Sequence, residues 1–188
     1  MFPEGMFPAD IFHDNITRQI CIAMGNNNYC VEYIRIADTY SLPTSTAVIH
    51  TFIASNFAQL ADRHADELME FSASQLGSWL ADDNLVVPSE CSLFELVVRW
   101  VRFDVTSREQ HLAQLISRVR LPLCSLQELE ETVCVVDIVM RNDECRELVN
   151  EALQYHADVY KQPVLQTPRT QVRLLSSLLL GLPSYNLY

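Results

Sequence analysis

The sequence predicts an all-α fold, with α-helical hairpins stacked as a short solenoid between flexible N- and C-terminal segments. Three observations support this prediction. Glycine occurs only four times in 188 residues, well below the average share of about 7%, whereas strand-rich folds and phosphate-binding loops need glycine at turns with positive φ. Apolar residues recur with helical spacing in successive segments. Three sequences of the form Ser-x-x-Gln or Ser-x-x-Glu mark helix starts.

Changes of composition along the chain predict three parts. Residues 1–29 are mixed in character and end in a run of asparagines, which predicts a poorly ordered lead-in. Residues 30–164 carry the helical patterns and form the predicted domain. Residues 165–188 are predicted to be a linker followed by a leucine-rich tail.

The first predicted hairpin consists of two helices. The segment Cys30–Tyr40 places apolar residues on one helical face. Pro43 then interrupts the pattern because proline cannot continue a helix from within. A second helix is predicted from Thr44 to Asn56, and its apolar side carries Val48, Ile49, Phe52 and Ile53.

Capping signals predict where four later helices begin. Ser72, Ser107 and Ser125 each open a capping box, in which the serine accepts from a backbone amide and the Gln or Glu side chain reaches back. Ser89 is expected to cap a helix that continues to Phe103. Because this helix is apolar around most of its surface, we expect it to be the central helix of the domain, with its tryptophan in the core.

Two further helices and one extended candidate follow from the remaining patterns. An apolar stripe from Leu112 to Val119 predicts a helix. Arg118 and Arg120 flank its C-terminal end, where they are expected to bond the terminal carbonyls. A last helix is predicted from Asp143 to Val159. The segment Asn84–Pro88 is the single extended candidate, and it is expected to bury Leu85 and Val87 before the central helix.

Charge and hydropathy exclude several classes of partner. The 24 acidic and 13 basic side chains give a net charge of -11, whereas binding a phosphate backbone requires clustered cations. Nucleic acid is therefore not expected as a partner. The apolar run Leu178–Leu182 is far shorter than the roughly 20 residues that span a membrane. No secretory signal opens the chain, so we expect a cytoplasmic protein that contacts no membrane.

The titratable residues predict neither an enzyme nor a metal site. The six cysteines are scattered, and no cysteine or histidine pair has metal-ligand spacing. We therefore expect reduced cysteines, no metal and no cofactor. Asp82 and Asp83 fall where a helix ends and are interpreted as turn residues. An unrecognised hydrolase built on His64 or His111 is the remaining catalytic hypothesis, and it lacks an identifiable nucleophile.

Several segments in a fixed order carry a family resemblance. They are Ile36–Pro43, Asn56–Phe57, Asp83–Glu90 with Leu93–Phe94, Val98–Val101, Leu115–Leu123, Glu151–His156 and Leu165–Thr170. Together they span roughly Cys30 to Arg173. In this order and spacing they closely resemble the BACK domain of the kelch-like proteins, in which a BTB domain precedes BACK and a kelch propeller follows it.

This resemblance implies a function. Kelch-like proteins are substrate adaptors of a cullin-3 RING E3 ubiquitin ligase, in which the first BACK hairpin completes the cullin-binding groove. By resemblance, Tyr40, Leu42, Phe52 and Phe57 would contact cullin-3, and self-association would be possible. The chain resembles a truncated form, in which residues 1–29 are a lead-in or BTB remnant and the propeller is missing. It would then act as a helical spacer or a partial cullin contact.

Two alternatives remain open at this point. The chain could be a generic α-solenoid interaction module unrelated to ubiquitination. The aromatic residues of the first hairpin could equally be core residues rather than contact residues.

Overall fold

A computed structural model describes residues 43–63, 65–158, 162 and 167–173. Every regular element within these residues is a helix, and the all-α prediction is confirmed. The contacts divide the chain into two compact units, with the boundary in the sequence between Glu70 and Phe71. Residues 1–29, the predicted helix Cys30–Tyr40 and the tail from Leu174 lie outside the described residues.

The first unit contains helices α1 (Pro43–Arg63) and α2 (Ala65–Leu68). Proline suits the first position of α1 because the first amides of a helix have no intrahelical acceptor. The predicted helix Thr44–Asn56 is therefore present and continues further, to Arg63. Its buried face follows the helical period and consists of Ile49, Ile53, Ala54, Phe57 and Leu60.

The second unit begins with helix α3 (Ala73–Leu80), and its predicted capping box is confirmed. The Ser72 hydroxyl accepts from the Gln75 amide at 3.2 Å, and the Gln75 side chain accepts from the Ser72 amide at 3.1 Å. The helix buries Leu76, Trp79 and Leu80.

Helix α4 (Glu90–Phe103) is the predicted central helix of this unit. The Ser89 hydroxyl caps it by accepting from the Ser92 amide at 3.1 Å. Trp100 is only 2% exposed, and its indole nitrogen donates to the Phe71 carbonyl at 2.9 Å. The buried indole therefore has its polar atom satisfied, as a core tryptophan requires.

The strand candidate Asn84–Pro88 is wrong, because no strand forms within the described residues. The Asp82 carboxylate accepts from the Asn84 amide at 2.8 Å, which closes a local turn at the point where a strand would begin. Leu85 is fully buried as expected, whereas Val87 stays partly exposed.

The capping box predicted at Ser107 is also wrong. Helix α5 (Val105–Arg108) begins before Ser107 and is capped by Asp104. The Asp104 carboxylate accepts from the Ser107 amide at 3.3 Å and from the Ser107 hydroxyl at 2.6 Å. Aspartate is as good an N-cap as serine, and it stands three residues earlier. The Ser107 hydrogen bonds hold the pKa of the Asp104 carboxyl below its usual value.

Three short α-helices, two 3₁₀ turns and one π-helical turn complete the middle of the second unit. A 3₁₀ turn (Glu109–His111) leads into α6 (Leu112–Ile116), and a second 3₁₀ turn (Leu121–Leu123) follows. Helix α7 (Leu126–Glu128) opens with the predicted box at Ser125 and continues as a π-helical turn (Leu129–Val133). Helix α8 (Asp137–Arg141) comes next.

Helix α9 (Asp143–Ala157) is the last regular element of the second unit. It begins where it was predicted, with the Asn142 side chain accepting from the Cys145 amide at 3.0 Å, and it ends at Ala157. Its buried face, formed by Cys145, Val149 and Ala152, packs against the second 3₁₀ turn and α6.

Candidate functional site

The residues predicted to contact cullin-3 lie on or before α1. Tyr40 and Leu42 lie outside the described residues. Phe52 is half-buried and Phe57 is 1% exposed. The two phenylalanines are five residues apart and therefore point about 140° apart around the helix. Phe57 belongs to the buried face of α1, and Phe52 lies at the border of that face.

A cluster of four charged side chains, three of them buried and the fourth, Asp83, exposed, lies at the junction of α3 and α4. We call it the charge cluster and define it as Asp83, Glu90, Arg120 and Arg173. Glu90 and Arg120 are each 7% exposed and Arg173 is 1% exposed. Arg173 donates from Nε to Glu90 Oε1 at 2.7 Å and from Nη2 to Glu90 Oε2 at 3.2 Å. This forked geometry is the strong form of an arginine–carboxylate pair.

Arg173 also joins the ends of two helices. Its Nη1 donates to the Asp82 carbonyl at 2.7 Å, and its Nη2 donates to the Leu80 carbonyl at 3.0 Å. Leu80 is the last residue of α3, where carbonyls lack intrahelical donors and the helix dipole favours a cation. Glu90 is the first residue of α4, where the dipole favours an anion. The helix dipoles therefore favour both members of the pair, the cation of Arg173 at the end of α3 and the anion of Glu90 at the start of α4.

Arg120 supplies the second cation of the charge cluster. Its backbone amide donates to Glu90 Oε2 at 3.0 Å. Its guanidinium group donates to the Gln171 carbonyl at 2.6 Å and pairs with Asp83. Asp83, interpreted from the sequence as a turn residue, thus also has an ionic partner.

The predicted role of the two arginines after α6 needs correction. They were expected to bond the carbonyls at the end of their own helix. Arg118 Nη1 instead donates to the Gly77 carbonyl in α3 at 3.2 Å, and Arg120 reaches the charge cluster. Both side chains extend away from their helix to acceptors that are distant in sequence, which the local pattern does not encode.

Residues 167–173, which we call the C-terminal strap, run back along the second unit after α9. The Thr170 hydroxyl accepts from the Thr167 amide at 2.8 Å, which closes a turn. Arg169 pairs with Glu151 of α9 at 2.5 Å. Arg173 then ends the strap inside the charge cluster. The strap lies in the range predicted to be linker and tail, yet it contacts α3, α4 and α9.

Sequence reasoning missed Glu90, Arg120 and Arg173 as a cluster. Arg173 and Glu90 are 83 residues apart in the chain, and no local motif joins them. The available signal was a single arginine between apolar residues, in the sequence Val172-Arg173-Leu174. A cation in such a setting requires an anionic partner if it is buried.

The described cysteines are free thiols. Cys91, Cys124 and Cys145 are buried, and Cys134 is partly buried. Burial raises the pKa of all four thiols, that of Cys145 to about 11. These thiols remain protonated at neutral pH and behave as small apolar groups. Cys21 and Cys30 lie outside the described residues.

The structure brings together no metal-ligating group of three residues among the positions that it describes. The His111 ring lies against the Trp100 ring, with centroids 6.4 Å apart, and His64 lies outside the described residues. A cleft of about 450 Å³ between α6 and α9 is lined by Gln114, Glu144, Glu147 and Arg169 among others. None of the helices in the described part is long and apolar enough to cross a membrane.

The helix order and the buried core of the described residues define an all-α domain. Residues 30–134, more than half of the chain, match the BACK family, described as BTB And C-terminal Kelch. The chain belongs to this family.

Two curated relatives are kelch-like proteins. The chain is 35% identical to Kelch-like protein 31 of Homo sapiens and 31% identical to Kelch-like protein 31 of Danio rerio, over 144 residues each. Each alignment covers 77% of this chain and 22% of the relative. The chain therefore spans less than a quarter of the length of these relatives.

Proposed function

We propose that this chain is the BACK part of a substrate adaptor for a cullin-3 RING E3 ubiquitin ligase. Membership of the BACK family, with kelch-like relatives aligned over 77% of the chain, is the observation that carries the proposal. In this role the chain is a scaffold without catalytic activity and acts in the cytoplasm. It works as a helical spacer and as a partial contact for cullin-3.

The proposed contact lies at the first hairpin, through Tyr40, Leu42, Phe52 and Phe57. Phe52 is the described residue of this set that is partly exposed, so we assign it direct contact. Phe57 is buried, and we assign it the support of α1 from the apolar face. An aromatic side chain at the border of a buried face can serve as an anchor for a partner.

Calorimetry with the amino-terminal fragment of cullin-3 tests this proposal. The full chain is expected to release or absorb heat on binding, and Phe52→Ala is expected to weaken the affinity about tenfold or more. Phe103→Ala is the matched control, because Phe103 is a 66% exposed phenylalanine in the second unit. It should leave the affinity unchanged.

Three outcomes would contradict parts of the proposal. Absence of binding at high micromolar concentration would remove the cullin contact and leave a spacer. Equal effects of the two substitutions would remove the first hairpin as the contact. A pull-down with the full chain that is dominated by proteins outside the ubiquitin system would favour the generic interaction module.

A further inference from the structure

The C-terminal strap is attached to the second unit at three separate points. Arg169 pairs with Glu151 on α9, the Gln171 carbonyl accepts from Arg120, and Arg173 enters the charge cluster. Between these anchors Gln171 and Val172 are exposed. The strap therefore runs along the surface, and its last residue is held inside the unit.

We propose that the strap is a latch that fixes the course of the chain on the second unit as far as Arg173, and that the Arg173–Glu90 pair holds this latch closed. The Arg173 guanidinium group makes four hydrogen bonds, two to Glu90 and one each to the carbonyls of Leu80 and Asp82. A planar group with four such bonds has little freedom to rotate.

The buried charges give the latch two states. Glu90 accepts three hydrogen bonds, two from Arg173 and one from the Arg120 amide. If the strap leaves, Glu90 loses both hydrogen bonds from Arg173 and keeps the one from the Arg120 amide, and the Leu80 carbonyl loses the donor that Arg173 supplies. An intermediate position would leave the buried Glu90 carboxylate without the cation it pairs with, in a desolvated site, which is unfavourable. The strap is therefore either fully docked or released.

This inference extends the proposed function and, for its consequence, rests on it. In an adaptor, a docked strap would hold any domain that follows the chain at a fixed position relative to the second unit. A released strap would give that domain a wider range of positions. The charge cluster would then act indirectly. Glu90, Arg120 and Arg173 would be positioning residues, because they fix the course of the strap and thereby the position of the domain that follows.

Hydrogen exchange of the full chain, measured by mass spectrometry, tests the latch without cullin-3. The amides of Thr167 and Thr170 donate hydrogen bonds inside the strap, so they report on its order. In Arg173→Met, exchange in the peptide covering 167–173 is expected to rise about 100-fold or more, whereas exchange in α4 and α9 rises by a much smaller factor. Arg146→Met is the matched control, because Arg146 pairs with Asp143 in an exposed position.

Unchanged exchange in the strap of Arg173→Met would overturn the proposal. An equal rise in the strap, α4 and α9 would also overturn it, because Arg173 would then support the whole unit rather than a latch. If Arg173→Met fails to fold, Arg169→Met is used in its place. It removes the partly exposed ion pair between Arg169 and Glu151. That variant is expected to raise exchange in the strap severalfold, and no rise would contradict the three-point attachment.

A distance measurement between the strap and α4 tests whether the strap holds a single position on the second unit. Spin labels on p-acetylphenylalanine at the exposed positions Gln171 and Glu95 avoid the native cysteines. The distance distribution should be narrow in the otherwise native chain and broad when Arg173→Met is added. Equally narrow distributions in both would mean that Arg173 does not hold the path.

Discussion

The two ends of α4 are anchored by different kinds of interaction. Near its C-terminal end, the Trp100 indole is buried under the Arg108 guanidinium group and donates one hydrogen bond, to the Phe71 carbonyl. At its N-terminal end, Glu90 is buried among cations and accepts three hydrogen bonds. Apolar burial scales with area and tolerates small shifts. The charge cluster depends on every partner being present, so it selects one position for the strap.

The apolar end is expected to show the largest effect of a single substitution. Trp100→Ala removes the buried indole. This one group is both the hydrogen-bond donor to the Phe71 carbonyl and the ring on which the Arg108 guanidinium group lies, 4.3 Å from the ring centroid. We expect the free energy of unfolding to fall by about 3–5 kcal/mol, measured by urea denaturation. Phe103→Ala in the same helix should cost less than about 1 kcal/mol because Phe103 is exposed. Similar losses in the two variants would mean that the core is elsewhere.

The smallest effect is expected at the exposed cap that joins α4 to α5. The pKa of Asp104 is lowered by the Ser107 hydrogen bonds, so the ionised form is favoured in the folded state. The stabilisation from this cap is complete above the ordinary aspartate pKa of about 3.9. It is lost as the pH falls through the lower pKa of the folded state.

Melting temperatures of the wild-type chain and of Asp104→Asn, measured between neutral pH and acid, check this dependence. Asparagine also caps helices but does not titrate. We expect the difference between the two melting temperatures to be constant near neutral pH and to change only in the acid range. A constant difference across the range would show that Asp104 is not the titrating cap.

The parts of this structure that the sequence predicts are the local ones. Ser72, Ser89 and Ser125 cap the predicted helices because each acts on an amide three residues away. Trp100 is buried because the helical period around it is apolar on most sides. The error at Ser107 has a local cause as well, since a better-placed aspartate precedes it. The all-α class follows from such short-range patterns.

The parts that the sequence does not predict depend on distant contacts. Arg173 and Glu90 are 83 positions apart in the chain, and Arg118 is 41 positions from its acceptor in α3. Of the proposed contact residues, the helical period places Phe52 and Phe57 on α1. It does not reveal that Phe57 is fully buried whereas Phe52 is partly exposed.

A double-mutant cycle on Glu90 and Arg173 tests most directly whether the buried pair ties the strap to the helices. Glu90→Gln, Arg173→Met and the double variant would be compared with the native chain by urea denaturation. We predict a coupling free energy of about 2 kcal/mol or more, against about 0.3–0.5 kcal/mol for the exposed Asp137–Arg141 pair on α8. A coupling as small as that of the exposed pair would contradict the account.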